Sequence, residues 1–154
     1  MIDQRTPYVP SVNPAEIAGP SRDIYARMGR ENLYRMMEDF YRELGGSAIR
    51  SMFPGDLVAS SRKSAAFFAQ LLGGPQEYTE QHGPPRMRAR HLPFRITPQA
   101  REVWLACFER ILARAVDDFA FPAEHLEGFR EFLRKFSEWM VNAADESSGP
   151  RDKC

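Results

Sequence analysis

The sequence predicts an all-α domain. Three observations carry that expectation: apolar residues recur at helical spacing in several runs, Thr97-Pro98 and Phe121-Pro122 have the layout of helix starts, and no stretch alternates with period two over a strand's length. No internal repeat is visible. A chain of 154 residues suits one domain with a single hydrophobic core.

Residues 1–20 hold Pro7, Pro10, Pro14 and Pro20 and little apolar periodicity, so an irregular N-terminal extension is expected there. The domain proper spans 21–144. Ser21 is placed to cap a short helix ending near Gly29. Residues 31–44 then put Leu33, Met36, Met37, Phe40, Tyr41 and Leu44 on one stripe, stopped by Gly45-Gly46. A short turn through Ile49 and Met52 ends at Phe53-Pro54-Gly55. The next helix covers 57–72 and is closed by Gly73-Gly74-Pro75. Residues 73–96 are long for a connection between helices, where two to eight residues are usual. They carry Gly-Gly-Pro and Gly-Pro-Pro, which argues against one continuous helix and for a functional irregular segment. Thr97-Pro98 opens a helix bearing Val103, Trp104, Cys107, Phe108, Ile111, Leu112 and Ala115. Phe121-Pro122 opens the last, with Phe129, Phe132, Leu133, Phe136 and Met140. Residues 145–154 are polar, contain a Gly-Pro stop and read as a disordered tail; partial disorder is expected at both ends.

Composition excludes several classes. The 21 basic and 21 acidic residues cancel, which gives no reason to expect nucleic acid as a partner. A DNA contact through Arg86, Arg88 and Arg90 would lack a recognition helix. No apolar run is long enough to cross a bilayer and the N-terminus lacks a signal-peptide layout, so a cytoplasmic protein with no membrane partner is expected. Cys107 reads as a small core residue and Cys154 is the last residue, so no structural disulfide is expected. Cys-x-x-Cys, His-x-x-x-His, Gly-x-Gly-x-x-Gly and Gly-x-Ser-x-Gly are all missing. What remains is a histidine amid large apolar helices. A haem asks for little more: one imidazole for iron, apolar walls for the ring, and cations for two propionates. His91 suits the ligand role best among His82, His91 and His125. It follows Arg86, Arg88 and Arg90, ends a short helical turn stopped by Pro93, and precedes the apolar Phe94 and Ile96. His82 and His125 keep the plainer reading of surface or core histidines, and on the residues alone that reading stays open for His91.

A resemblance sharpens this. The run Gly73-Gly74-Pro75-x-x-Tyr78-x-Glu80-Gln81-x-Gly83-x-Pro85-Arg86-Met87-Arg88-x-Arg90-His91-x-Pro93-Phe94-x-Ile96, followed by Arg101-x-x-Trp104-Leu105-x-Cys107, closely resembles the second group of truncated, two-over-two haemoglobins. Phe40-Tyr41 and Phe53-Pro54-x-Asp56-Leu57 match two further blocks, and the likeness covers residues 24–144.

The resemblance implies a two-over-two α-helical sandwich around a haem, with His91 as the iron ligand. It implies Tyr41 and Trp104 as distal hydrogen-bond donors to bound dioxygen, whose developing negative charge a phenol or indole donor stabilises. Ser60, Ser64, Phe67, Phe68 and Leu71 share a helix face that roofs the distal pocket in the family. Whether Ser60 and Ser64 bond back to a carbonyl one turn earlier or face the ligand is left open. Phe53 stands where relatives often carry tyrosine, so Tyr41 and Trp104 must supply the donors. Lys63, Arg90 and Tyr78 match positions near the propionates, where cations and hydroxyls are favoured. Phe67, Phe68, Met87, Phe94, Ile96, Phe108 and Met140 are expected against the ring. Without Cys-x-x-Cys-His the group would be non-covalent haem b. The function so implied is binding of dioxygen or another diatomic gas, nitric oxide or carbon monoxide. Two other readings stand beside it: a redox enzyme, peroxidase-like or a nitric oxide dioxygenase fed by a reductase, and a haem-free regulator on the globin scaffold.

Overall fold

Apolar periodicity becomes helix along most of the chain. The computed structural model describes residues 8–145. Among them eight α-helices form: α1 (Ile24–Met28), α2 (Arg30–Gly45), α3 (Leu57–Leu71), α4 (Glu77–His82), α5 (Met87–His91), α6 (Pro98–Leu112), α7 (Ala115–Phe119) and α8 (Leu126–Met140). Three 3₁₀ turns, at Pro14–Glu16, Arg50–Met52 and Ala123–His125, complete the list.

The α2 stripe is buried as its spacing predicts, from Leu33 through Met36, Met37, Phe40 and Tyr41 to Leu44. Asp56 caps α3 by accepting from the Ala59 N–H at 3.0 Å. Thr97 caps α6 by accepting from the Ala100 N–H at 3.1 Å, with proline in the first turn. The connection between α3 and α1 is tight. Gly73 has φ +101°, and a Cβ there would lie 1.9 Å from the Arg22 carbonyl oxygen, so only glycine fits.

Several boundaries differ from expectation. Ser21 accepts from the Asp23 N–H at 3.1 Å, one turn ahead of α1, which starts at Ile24. Ala115 starts a separate short helix after a break at Ala113 and Arg114, and Ala120 ends it in the left-handed region at φ +55°. Phe121-Pro122 leads into a 3₁₀ turn, and α8 begins only at Leu126. Residues 73–96 contain two short helices rather than pure loop. Residues 8–20 are irregular apart from one 3₁₀ turn, and the Tyr8 carbonyl accepts from Arg88 at 3.1 Å. Residues 1–7 and 146–154, where disorder is expected, and Cys154 with them, lie outside the described residues. Cys107 is a buried free thiol.

The long helices pack in two pairs. α2 lies on α3, α6 lies on α8, and α2 also meets α6. Phe108 is where all four meet. It stacks on Phe40 of α2 at 4.1 Å and meets Phe68 of α3 and Phe129 of α8 edge-on, each at 5.8 Å. It is 1% exposed. Such aromatic pairs add about 0.5–1.5 kcal/mol each beyond their burial. Phe108→Ala is therefore expected to cost roughly 3–5 kcal/mol, read as a lower urea midpoint; a loss under about 1 kcal/mol, the scale of volume-conserving swaps, would contradict this junction.

Candidate functional site

Where the two pairs splay, they enclose a cavity of about 470 Å³, a size typical of cofactor sites. Its walls are largely apolar. Phe67 and Phe68 come from α3, Met87 from α5, Phe94 and Ile96 from the segment after it, and Met140 from α8. Phe67 stacks on Phe136 across the α3–α8 gap at 6.1 Å and 27°. Phe136, with Ile49, Met52, Pro54, Ala100, Arg101 and Ser137, lines the cavity although none of them is among the site residues expected from the sequence. Arg101 had a signal: it stands three residues before Trp104, on the same face of α6.

His91 lies at the end of α5, on the cavity wall. Its Nδ1 sits 2.6 Å from the Met87 carbonyl oxygen. A carbonyl only accepts, so Nδ1 carries the proton and Nε2 keeps its lone pair. Burial pushes the imidazole below its ordinary pKa, the Met87 bond opposes that, and the charges of Lys63 and Arg90 reinforce it. The ring is thereby held neutral, as a metal ligand must be. The chain enters α5 through Arg86 in the left-handed region at φ +41°, a conformation that costs a non-glycine residue about 1–2 kcal/mol.

Polar groups gather elsewhere on the same cavity. Tyr41 of α2, 9% exposed, shares a 2.8 Å hydrogen bond with Ser64 of α3. Phe53 meets the Tyr41 ring edge-on at 5.8 Å. Ser60 lines the cavity, and the bond back to a carbonyl is made by neither it nor Ser64 but by Ser61, to Val58 at 2.8 Å. Trp104 lines the cavity from α6, its ring braced edge-on by Phe40 at 5.6 Å and Phe108 at 5.3 Å. Phe108 itself is absent from the walls. Expected against the ring, it stands one turn behind Trp104 and fills the core.

The wall carries charge of one sign. Lys63, Arg90 and Arg101 line it, and no aspartate or glutamate does. Arg90 is largely occupied: its Nε donates to Pro85 at 2.5 Å and its Nη2 to the His82 and Pro84 carbonyls at 2.6 and 2.8 Å. It thus buckles the segment between α4 and α5 while lying 5.4 Å from the Tyr78 ring centroid. Arg101 ties α6 to α8 through Ser137 at 3.0 Å and the Arg134 carbonyl at 2.9 Å. One neutral imidazole with a free Nε2, apolar walls and cations without carboxylates match the chemistry of an iron porphyrin bearing two carboxylates. Among the described residues, no three His, Cys, Asp or Glu side chains gather to hold a metal ion by themselves.

Helix pairs in this arrangement, around such a cavity, define a small globin. The bacterial-like globin family model matches residues 23–142, and the chain belongs to that family as a truncated haemoglobin of the second group. It is 38% identical over 128 residues to Group 2 truncated hemoglobin YjbI of Bacillus subtilis (strain 168), covering 80% of this chain and 94% of that protein. It superposes with a TM-score of 0.73 on the group II truncated haemoglobin of Bacillus anthracis, at 35% identity over 86% of this chain and 100% of the other. Against phosphate-bound Hell's gate globin IV the TM-score is 0.77, at 35% identity over 85% and 81%. No helix among the described residues is long and apolar enough to cross a membrane.

The buried phenol gives this site a pH signature. Burial raises the Tyr41 pKa, and the Ser64 bond only partly opposes it. The folded state thus holds this proton more tightly than the unfolded chain, whose tyrosines ionise near pH 10. Stability from this group is full below about pH 10 and is lost as pH rises from there toward the folded pKa. Urea midpoints measured across that range should fall less steeply in Tyr41→Phe than in the native protein, the remainder coming partly from Tyr34, also raised by burial. Identical slopes would contradict a buried, protonated Tyr41.

Proposed function

We propose that this chain holds a non-covalent haem b through His91 Nε2 and binds dioxygen, nitric oxide or carbon monoxide on the other face of the ring. The observation that carries the reading is the His91–Met87 bond, which leaves Nε2 unprotonated on a cavity shared with Tyr41, Ser64 and Trp104. Haem supplies the iron at which a diatomic gas is held. The protein does the rest. Apolar walls exclude water, Lys63 and Arg90 lend cations to the propionates with Tyr78 beside them, and His91 anchors the group. Ser64 can donate to the Tyr41 oxygen, which frees the phenol proton to point into the cavity. If Tyr41 donates to Ser64 instead, the Trp104 indole remains as donor.

His91→Ala should lose haem or hold it weakly, while His82→Ala and His125→Ala keep it, read from the absorption spectra of oxidised, reduced and carbon monoxide forms. An unchanged spectrum in His91→Ala would sink the assignment. Tyr41→Phe and Trp104→Phe should each speed dioxygen dissociation. A hydrogen bond is worth roughly 0.5–1.5 kcal/mol, so the change expected is about two- to tenfold. Carbon monoxide, which gathers less charge, should respond less. Equal effects on both gases would mean that the two side chains act by steric blocking. Steady consumption of nitric oxide with a reductase supplying electrons would make the protein an enzyme rather than a binder.

A further inference from the structure

The ligand-bearing helix has five residues, too few to be stable alone. Its last carbonyls, His91's included, have no partner within the helix and must be satisfied from outside. The Phe94 N–H donates to the His91 carbonyl at 2.9 Å, and the segment after α8 adds the bonds that this turn leaves open. Asn142 is 6% exposed, and its side-chain amide Nδ2 donates to the His91 carbonyl at 3.1 Å and to the Phe94 carbonyl at 2.9 Å. Its Oδ1 accepts from the Ile96 N–H at 2.9 Å, and its own backbone N–H donates to the Ile96 carbonyl at 2.9 Å. One side chain thereby engages three backbone groups between residues 91 and 96. Arg88 reinforces the junction from within α5, donating to the Trp139 carbonyl at 2.5 Å and the Val141 carbonyl at 2.6 Å.

We propose that Asn142 is a positioning residue for the iron ligand: its amide caps the His91 carbonyl and fixes the height and tilt of the imidazole relative to the haem. The inference rests on the reading of His91 as ligand. Asn142 does not line the cavity, so its effect is expected to pass through His91 alone. Loss of a buried amide that spans two carbonyls frees the end of α5 to shift, and the imidazole moves with it. Hydrogen-bond partners of a ligating ring are typically worth about 10–100-fold in metal affinity; Asn142 acts one bond further out, through the backbone of the same residue, which sets the low end of that range as its ceiling.

Resonance Raman spectra of the ferrous, gas-free haem protein test this through the iron–histidine stretching band. Asn142→Asp keeps the size and the acceptor for Ile96 but replaces both donors by a carboxylate facing two carbonyls; Asn142→Ala removes everything. Both should displace or broaden the band and speed haem transfer to an acceptor globin by up to about tenfold. The C–O stretch of the carbon monoxide form, which reports the Tyr41–Trp104 side, should stay at its native position. A native iron–histidine band in a folded Asn142→Asp protein overturns the proposal. So does a C–O stretch that moves in parallel, or loss of helical structure in both variants, since either makes Asn142 a general packing residue. Native protein with no iron–histidine band would instead defeat the reading of His91 itself.

Discussion

The bond from His91 Nδ1 to the Met87 carbonyl is the contact on which the rest of the site depends. It lies within one helical turn, yet it decides which imidazole nitrogen is a donor and which keeps its lone pair. A tautomer fixed this way needs a ring held still, and α5 cannot supply that rigidity from its own length. Rigidity is imported. Arg88 and Asn142 bolt the helix to the end of α8, while Arg90 gathers three carbonyls of the preceding segment. The cost of the left-handed Arg86 at the entrance to α5 is tolerable only because the surrounding bonds leave that residue no alternative.

The wall that carries Tyr41 and Trp104 is rigid for a different reason. Phe108 locks the four long helices together and supports Trp104 directly, and Phe40 braces both Trp104 and Tyr41. Large side chains placed by a dense aromatic core keep their polar tips in register without loops. The Tyr41–Ser64 pair makes that side adjustable all the same. Two hydroxyls share one short bond, and which of them donates decides whether the phenol proton is free for another acceptor.

Much of this was legible in the sequence, and the exceptions have physical causes. The α2 stripe agrees residue by residue because one face of a long helix meets core and the other meets solvent. His91 stood out because little else in the chain could bind a metal. Phe108, expected against the ring, fills the core instead: it lies on nearly the same face of α6 as Trp104, and periodicity says which face is apolar but not how deep each residue lies. The short α4 and the break before α7 fall below the length at which periodicity distinguishes helix from turn. Asn142 was invisible for a different reason: its partners are backbone groups, which leave no trace in the spacing of side chains.

We propose that His91 meets the iron through Nε2 while Nδ1 keeps its proton for Met87. Proton NMR of the ferrous, gas-free haem protein with ¹⁵N-labelled histidine tests it directly. One strongly shifted, exchangeable imidazole N–H is expected, carried on Nδ1 of His91 and abolished by His91→Ala. A shifted N–H on Nε2 of that ring, or one that belongs to His82 or His125, would contradict it.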